Sequence, residues 1–230
     1  MPGRRSHRPT ARWSRIERDA RETYGELIAG IDEVGRGPLA GPVVACAVVM
    51  PVSGRRIAGV DDSKKLRPAD REALAVEILR RATGVALGAA SPREIDRINI
   101  YQATALAMRR ALARLARGGV TPHHVILDGK PIRTLGVAHT AVVGGDGKCY
   151  AVACASIVAK VTRDRLMARL AVRYPGFGWE QNAGYGTPAH LSALDALGAT
   201  PHHRRSFCVK QLTLSLDGGV PLPHPLPPLP

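Results

Sequence analysis

The stretch Gly30-Ile31-Asp32-Glu33-Val34-Gly35-Arg36-Gly37 sets two adjacent acids between an apolar run and a glycine-rich loop. Leu27 to Ile31 before it and Val43 to Met50 after it are apolar runs of strand length, and the Gly- and Pro-rich link between them reads as a loop joining neighbouring strands. Side chains alternate across a strand, so Asp32 and Glu33 start on opposite faces and reach one centre only if the chain bends. Two further acids follow short apolar runs: Asp128 after Val125 to Leu127, and Asp146 after Thr140 to Val143. In an open α/β sheet, ligands commonly bind at the carboxyl ends of strands.

Working outward, Val85 to Ala90 reads as a third strand, and Ser91-Pro92-Arg93-Glu94 follows it with an N-cap, a first-turn proline and a capping-box acid. A long helix is expected from there to Arg117, ended by Gly118-Gly119. Ala153 to Ala171 and Pro188 to Leu197 read as further helices. Strands and helices in this order indicate a mixed sheet covered by helices, an α/β domain. Three parts are expected: a flexible basic N-terminal extension over 1–26, with a short helix allowed from Ser14 to Glu22; a main domain over 27–217; and a disordered Pro-rich tail over 218–230.

The 33 Lys and Arg against 19 Asp and Glu leave a net charge of +14, which points to a polyanionic partner. Segment 1–26 carries seven Arg and four acids, a net of +3, so about +11 belongs to the rest of the chain. No apolar run approaches the ~18 residues needed to span a bilayer, and the first twenty residues hold no apolar stretch resembling a signal peptide, so a cytoplasmic protein without a membrane partner is expected. Cys46, Cys149, Cys154 and Cys208 lack zinc-site spacing and read as buried thiols.

An Asp-Gly pair alone is usually a turn. Four acids expected at strand ends of a basic protein are different, because gathered carboxylates repel one another unless cations join them. Oxygen-only ligands favour Mg²⁺ or Mn²⁺ over zinc, and a pair of such ions suits phosphodiester hydrolysis. These spacings alone do not specify a nuclease.

The run Ile31-Asp32-Glu33-Val34-Gly35-Arg36-Gly37-Pro38-Leu39-Ala40-Gly41-Pro42-Val43 closely resembles the signature of bacterial ribonuclease HII. The similarity continues, in family order, through Asp61-Asp62-Ser63-Lys64-Lys65-Leu66, Glu94 to Ile100, Leu127-Asp128-Gly129, Ser156 to Asp164, Gly184-Tyr185-Gly186-Thr187 and His202 to Phe207. The resemblance implies a ribonuclease H-like mixed sheet flanked by helices, with a helical C-terminal portion. It implies an endonuclease acting on the RNA strand of RNA/DNA hybrids and on DNA duplexes at embedded ribonucleotides, as a monomer, leaving 5′-phosphate and 3′-hydroxyl ends. It maps the family's catalytic, metal-binding acids onto Asp32, Glu33, Asp128 and Asp146. Substrate contacts are implied for Gly35, Arg36 and Gly37, whose backbone would sense the ribose 2′-hydroxyl. They are also implied for Ser63, Lys64 and Lys65 at phosphates, and for Tyr185 at the sugar that follows the ribonucleotide.

Two positions depart from the family pattern: Gly144 and Ala183 stand where a lysine is frequent, which removes two expected phosphate contacts. The segment Cys149 to Ala155 also differs from the more usual Ile-Ser-Ala-Ala. His202-His203 lacks a carboxylate or cysteine at ligand spacing, so nucleic-acid contact or capping is expected; Asp164 is expected to pair with Lys160, and Asp61, Asp62, Asp96 and Asp195 read as surface or capping acids. A non-catalytic nucleic-acid-binding protein has no use for four acids beside phosphates. The GRG loop and Tyr185 favour the HII type over another nuclease of the fold, such as a Holliday-junction resolvase or ribonuclease HIII.

Overall fold

The computed structural model describes residues 14–53 and 55–208. The Pro-rich stretch 218–230, residues 209–217 of the main domain and the first thirteen residues lie outside the described residues.

Five strands, β1 (Ile28–Val34), β2 (Val43–Val49), β3 (Gly84–Ala90), β4 (His124–Asp128) and β5 (His139–Val142), form one sheet in the order β3-β2-β1-β4-β5. The first three pair antiparallel as a meander, while β1–β4 and β4–β5 are parallel. This is the mixed sheet expected from the residue pattern.

Alternation divides the sheet's two faces between two long helices. Ala29, Ile31, Val43, Ala45 and Ala47 pack with Ala103, Ala107, Met108 and Leu112 of α3 (Pro92–Arg117), the capping box of Ser91 and Glu94 opening that helix. On the other face, Cys46 and Val48 meet Cys154, Ile157 and Val158 of α4 (Tyr150–Arg173), flanked by Ala75 and Ile78 of α2 (Pro68–Arg81). Gly30 allows α4 to lie against β1, since a Cβ there would collide with the Ala151 backbone. The four cysteines are buried and free, as read from their spacing.

Three local features differ from the sequence reading. Helix α3 is broken at Asn99, whose backbone leaves the helical region at φ 63°; its side chain accepts the Gln102 N–H at 3.1 Å and recaps the second half. Helix α2 was not anticipated, because its N-cap, Arg67, supplies no side-chain capping bond. Segment 1–26, expected to be a flexible extension, contains α1 (Arg15–Tyr24), which docks on the sheet through Ala20 and on the start of α4 through the buried Glu17.

The helical C-terminal portion comprises α4, the short α5 (Trp179–Asn182) and α6 (Pro188–Leu197). His203 is buried there, 3.1 Å from His190 Nε2 and against the Phe177 and Trp179 rings, with its pKa lowered to about 4 by burial and by the neighbouring histidines. It is a packing residue whose Nδ1 accepts the Thr200 N–H at 2.9 Å, the capping alternative expected for this pair.

Among the described residues no helix is long and apolar enough to cross a membrane.

Candidate active site

The parallel pairing of β1 with β4 sets Ile31 beside Leu127, so the next residues, Asp32 and Asp128, lie side by side, Asp128 ending β4 and Asp32 two residues before the end of β1. By alternation both lie on the face covered by α4, in phase with Ile28 and Ile126. Glu33 starts on the opposite face, and β1 ends one residue later at Val34. Asp146 sits on a single 3-10 turn, Gly145–Gly147, and the Gly145 N–H donates to Asp128 Oδ1 at 2.6 Å, which ties the two acid-bearing segments together.

The electrostatics of this group are those of carboxylates short of positive charge. Asp32 is buried and its pKa is pushed up to about 8, first by burial and then by Glu33, with Asp128 adding to it; the Ser156 hydroxyl and the Glu33 N–H, which donates to Asp32 Oδ1 at 2.7 Å, oppose the shift. Glu33 is raised mainly by burial and held back by Arg36, whose Nη1 donates to Glu33 Oε1 at 3.2 Å. The other carboxylate oxygen, Glu33 Oε2, is buried without a hydrogen-bond partner. Lys64 Nζ reaches Asp146 Oδ2 at 3.4 Å.

A buried acceptor with no donor, beside like charges, is the environment that a hard divalent cation relieves, so the donor set fits Mg²⁺ or Mn²⁺. Among the described residues no three His, Cys, Asp or Glu side chains are drawn together as a ready-made ligand set. Arg36 and Lys64 each stand as a counter-charge to one of the acids.

Beside the acids, Gly35 has φ +87° and lies directly on the Arg163 guanidinium, which leaves no room for a Cβ. Arg36 and Gly37 are exposed, and a Cβ on Gly37 would meet only the Tyr185 ring, at 3.5 Å. Tyr185 is 49% exposed, and its loop is joined to the Gly35–Gly41 loop by the Leu39 N–H donating to Gly184 O at 2.8 Å. The GRG loop and the tyrosine, 148 residues apart in the chain, thus lie side by side.

Taken together, the sheet topology, the acids at the β1 and β4 ends and the adjoining glycine loop form one constellation. A match to the family model described as Ribonuclease HII spans residues 29–210. The chain belongs to the ribonuclease HII family. It is therefore a ribonuclease H, a hydrolase that cuts phosphodiester bonds as an endonuclease. The ribonuclease HII of Granulibacter bethesdensis is 54% identical over 203 residues, covering 86% of this chain and 90% of that protein. Ribonuclease H2 of Pyrococcus horikoshii superposes with a TM-score of 0.69 at 30% identity, over 80% of this chain and 95% of that one. Bst-RNase HIII, solved in complex with Mn²⁺, shares the fold at 20% identity and a TM-score of 0.61, over 94% of this chain and 76% of that one.

This ribonuclease HII-type site also contains residues that the sequence reading missed or assigned differently. Ser63, expected at a phosphate, is buried; its hydroxyl lies 2.9 Å from that of Ser156, which supports Asp32, and its carbonyl accepts from Arg71 Nη1 at 2.7 Å. Lys64 and Lys65 are exposed, with Lys65 3.5 Å from Asp61. Where the ribonuclease HII pattern has lysine, Gly144 is left-handed and Lys148 donates to the neighbouring Val143 carbonyl at 2.6 Å. Ala183 carries no cation but presents its carbonyl to Arg163 at 2.8 Å. Ser156, Arg163 and Arg204 drew no role from the sequence, although all three lie within blocks that carry the resemblance; nothing in a linear reading shows that these side chains are buried.

Proposed function

We propose that the protein hydrolyses the RNA strand of RNA/DNA hybrids and nicks DNA duplexes at embedded ribonucleotides, with Asp32, Glu33, Asp128 and Asp146 as the catalytic carboxylates. The observation that carries this reading is the placing of the exposed Gly37 next to the Tyr185 ring, close enough that an added Cβ would touch it, beside a carboxylate group whose Glu33 Oε2 has no donor. A pair of divalent ions, Mg²⁺ or Mn²⁺, held by those acids would activate water and stabilise the leaving oxygen, giving 5′-phosphate and 3′-hydroxyl ends.

The protein's own groups do the rest. Asp32 and Asp128, on rigid neighbouring strands, set the position of the carboxylate group, and the Ser63–Ser156 hydroxyl pair orients Asp32 from behind. Arg36 and Lys64 balance Glu33 and Asp146 until the acids are loaded, and Lys64, 77% exposed, is then free to meet a phosphate. The backbone of Gly35, Arg36 and Gly37 approaches the minor groove and senses the 2′-hydroxyl, the group that separates RNA from DNA. Tyr185 packs on the adjoining sugar, where a deoxyribose fits better than a ribose. The basic surface supplies phosphate affinity without choosing between sugars. We assign the active form as a monomer in the cytoplasm.

The decisive assay uses a DNA duplex carrying one ribonucleotide, with and without Mg²⁺ or Mn²⁺, beside a long RNA/DNA hybrid and an all-DNA duplex. Metal-dependent incision of the first two and not the third is expected. Cleavage of the all-DNA duplex, or cleavage undiminished in chelator, would contradict the assignment.

A further inference from the structure

Two arginines beside the site are almost wholly buried, and among the described residues neither makes an ion pair. Arg204 donates from Nε and Nη2 to Gly41 O at 3.0 and 2.8 Å, from Nη1 to Arg36 O at 2.8 Å and from Nη2 to Gly35 O at 2.5 Å. Arg163 donates from Nε to Pro42 O at 3.0 Å, from Nη2 to Ala40 O at 3.0 Å and from Nη1 to Ala183 O at 2.8 Å. Burying a guanidinium without a carboxylate is costly, and burial pulls Arg163 down to about 10 and Arg204, which also faces Arg163, down to about 9. Both remain charged at neutral pH. Hydrophobic packing alone would not require them.

Their common feature is the direction in which they turn the loop backbone. Carbonyl oxygens of Gly35, Arg36, Ala40, Gly41, Pro42 and Ala183 all point at a guanidinium. Arg36 and Gly37 are on the surface, and among the described residues their N–H groups enter no hydrogen bond within the protein. Resting on the reading that this loop senses the ribose, we propose that Arg163 and Arg204 are positioning residues for ribose selection. By drawing the carbonyls inward they leave the Arg36 and Gly37 amides facing the groove, where a 2′-hydroxyl oxygen can accept from them. Through Ala183, Arg163 sets the Tyr185 loop against the same segment, so the groups that meet the ribose and its neighbouring sugar share one support. Arginine suits this role because its planar fork spans three carbonyls in fixed directions, whereas lysine offers its donors from a single point.

The test substitutes Arg204→Lys and, separately, Arg163→Lys, with Gly37→Ala as a third variant. Turnover is measured on a duplex with one ribonucleotide, and binding on an all-DNA duplex of the same sequence, whose stoichiometry counts folded molecules. Per folded molecule, each lysine variant should lose roughly 100-fold in kcat, as expected for a displacement near 1 Å, while holding DNA with unchanged affinity. Hydrogen exchange across residues 35–42 should quicken in both. A loss that disappears once turnover is normalised to folded molecules makes the arginines merely structural and overturns the proposal, as does a parental kcat in both variants while Gly37→Ala is slow. Parental turnover by Gly37→Ala would instead remove the ribose-sensing loop on which the proposal stands.

Discussion

Glu17 Oε1 accepts the Ala151 N–H at 2.8 Å, joining the N-terminal helix to the first turn of α4 across 134 residues. Its other oxygen accepts the Ser14 N–H at 3.0 Å, so one buried carboxylate caps two helices at once. Helix α4 needs this, because its own N-cap, Cys149, makes no side-chain capping bond. The helix starts four residues after Asp146 and its second turn carries Ser156 against Asp32, so the placing of its N-terminus bears on the acids. Helix α1 precedes the stretch matched by the family model, and a deletion of residues 1–24 that a linear reading would treat as harmless removes this cap.

Glu17→Ala should therefore destabilise the protein by about 1–3 kcal/mol, the cost of leaving a buried donor unpaired, while Glu17→Gln, which keeps an acceptor oxygen, should lose less. Thermal melting of the two variants and of the 1–24 deletion measures this. A deletion that melts with the parent would show that α1 contributes nothing to α4.

Asp32 offers a pH signature. Its carboxyl rises on folding from an ordinary 3.8 to about 8, first through burial and then through Glu33. Across that window this carboxyl binds more protons in the folded protein than in the unfolded chain, so the stability it contributes is fully present below the unfolded value and is lost as pH rises through the folded one. Glu33, also raised, adds to the slope. In chelator, Asp32 should lower the melting temperature of the parent at about pH 8 relative to about pH 5, working against His203, whose lowered pKa favours the higher pH. Asp32→Asn should flatten that difference and melt a few degrees above the parent at the higher pH, at ~2–4 °C per kcal/mol. Added Mg²⁺ or Mn²⁺ should raise the parent more than the variant. Identical pH slopes in the two proteins would mean that Asp32 ionises freely.

Asp128→Asn and Asp146→Asn each remove one charge with little change of shape. Both should abolish cleavage, a loss of at least ~1000-fold, with hybrid binding equal or tighter because less negative charge faces the phosphates. In the Asp128→Asn variant the new amide oxygen can still accept the Gly145 N–H, so the melting temperature should hold. Full activity in either variant would mean that the residue replaced is not catalytic.

The two glycines of the GRG loop should behave differently. Gly35→Ala forces a left-handed residue to carry a Cβ into the Arg163 guanidinium, so it should lose both stability and cleavage. Gly37→Ala has space within the protein, with only Tyr185 at 3.5 Å, so it should melt with the parent yet cleave a single-ribonucleotide duplex roughly 100-fold more slowly. Melting curves and single-turnover rates separate these cases.

Tyr185→Phe keeps the ring and Tyr185→Ala removes it, so the alanine variant should be the slower on a duplex with one ribonucleotide. The side chain is half exposed, so neither change should cost much stability. If both variants cut that duplex at the parental rate, Tyr185 serves packing alone.

Much of this was written locally in the chain. The strands show as apolar runs, α3 announces itself through the Ser91 and Glu94 capping box, and the pair Asp32-Glu33 marks the end of β1. These signals act within a few residues, through backbone hydrogen bonding and side-chain alternation, and need no partner elsewhere. The break at Asn99 was also local, but an asparagine inside a run of helix formers is compatible with either a continuous or a recapped helix.

Contacts between distant segments required the fold. Register between β1 and β4 sets Asp32 beside Asp128, and no reading of either strand alone contains that register. The same holds for Ser63, which resembles a loop residue at a phosphate yet lies under Ser156, and for Glu17, one acid among four in a basic extension until α4 presents an unpaired N–H to it. Arg163 and Arg204 are the plainest case. An arginine in a linear sequence is expected at the surface, and only the convergence of residues 35–42 and 183 on two buried guanidiniums supplies the carbonyls that make their burial possible.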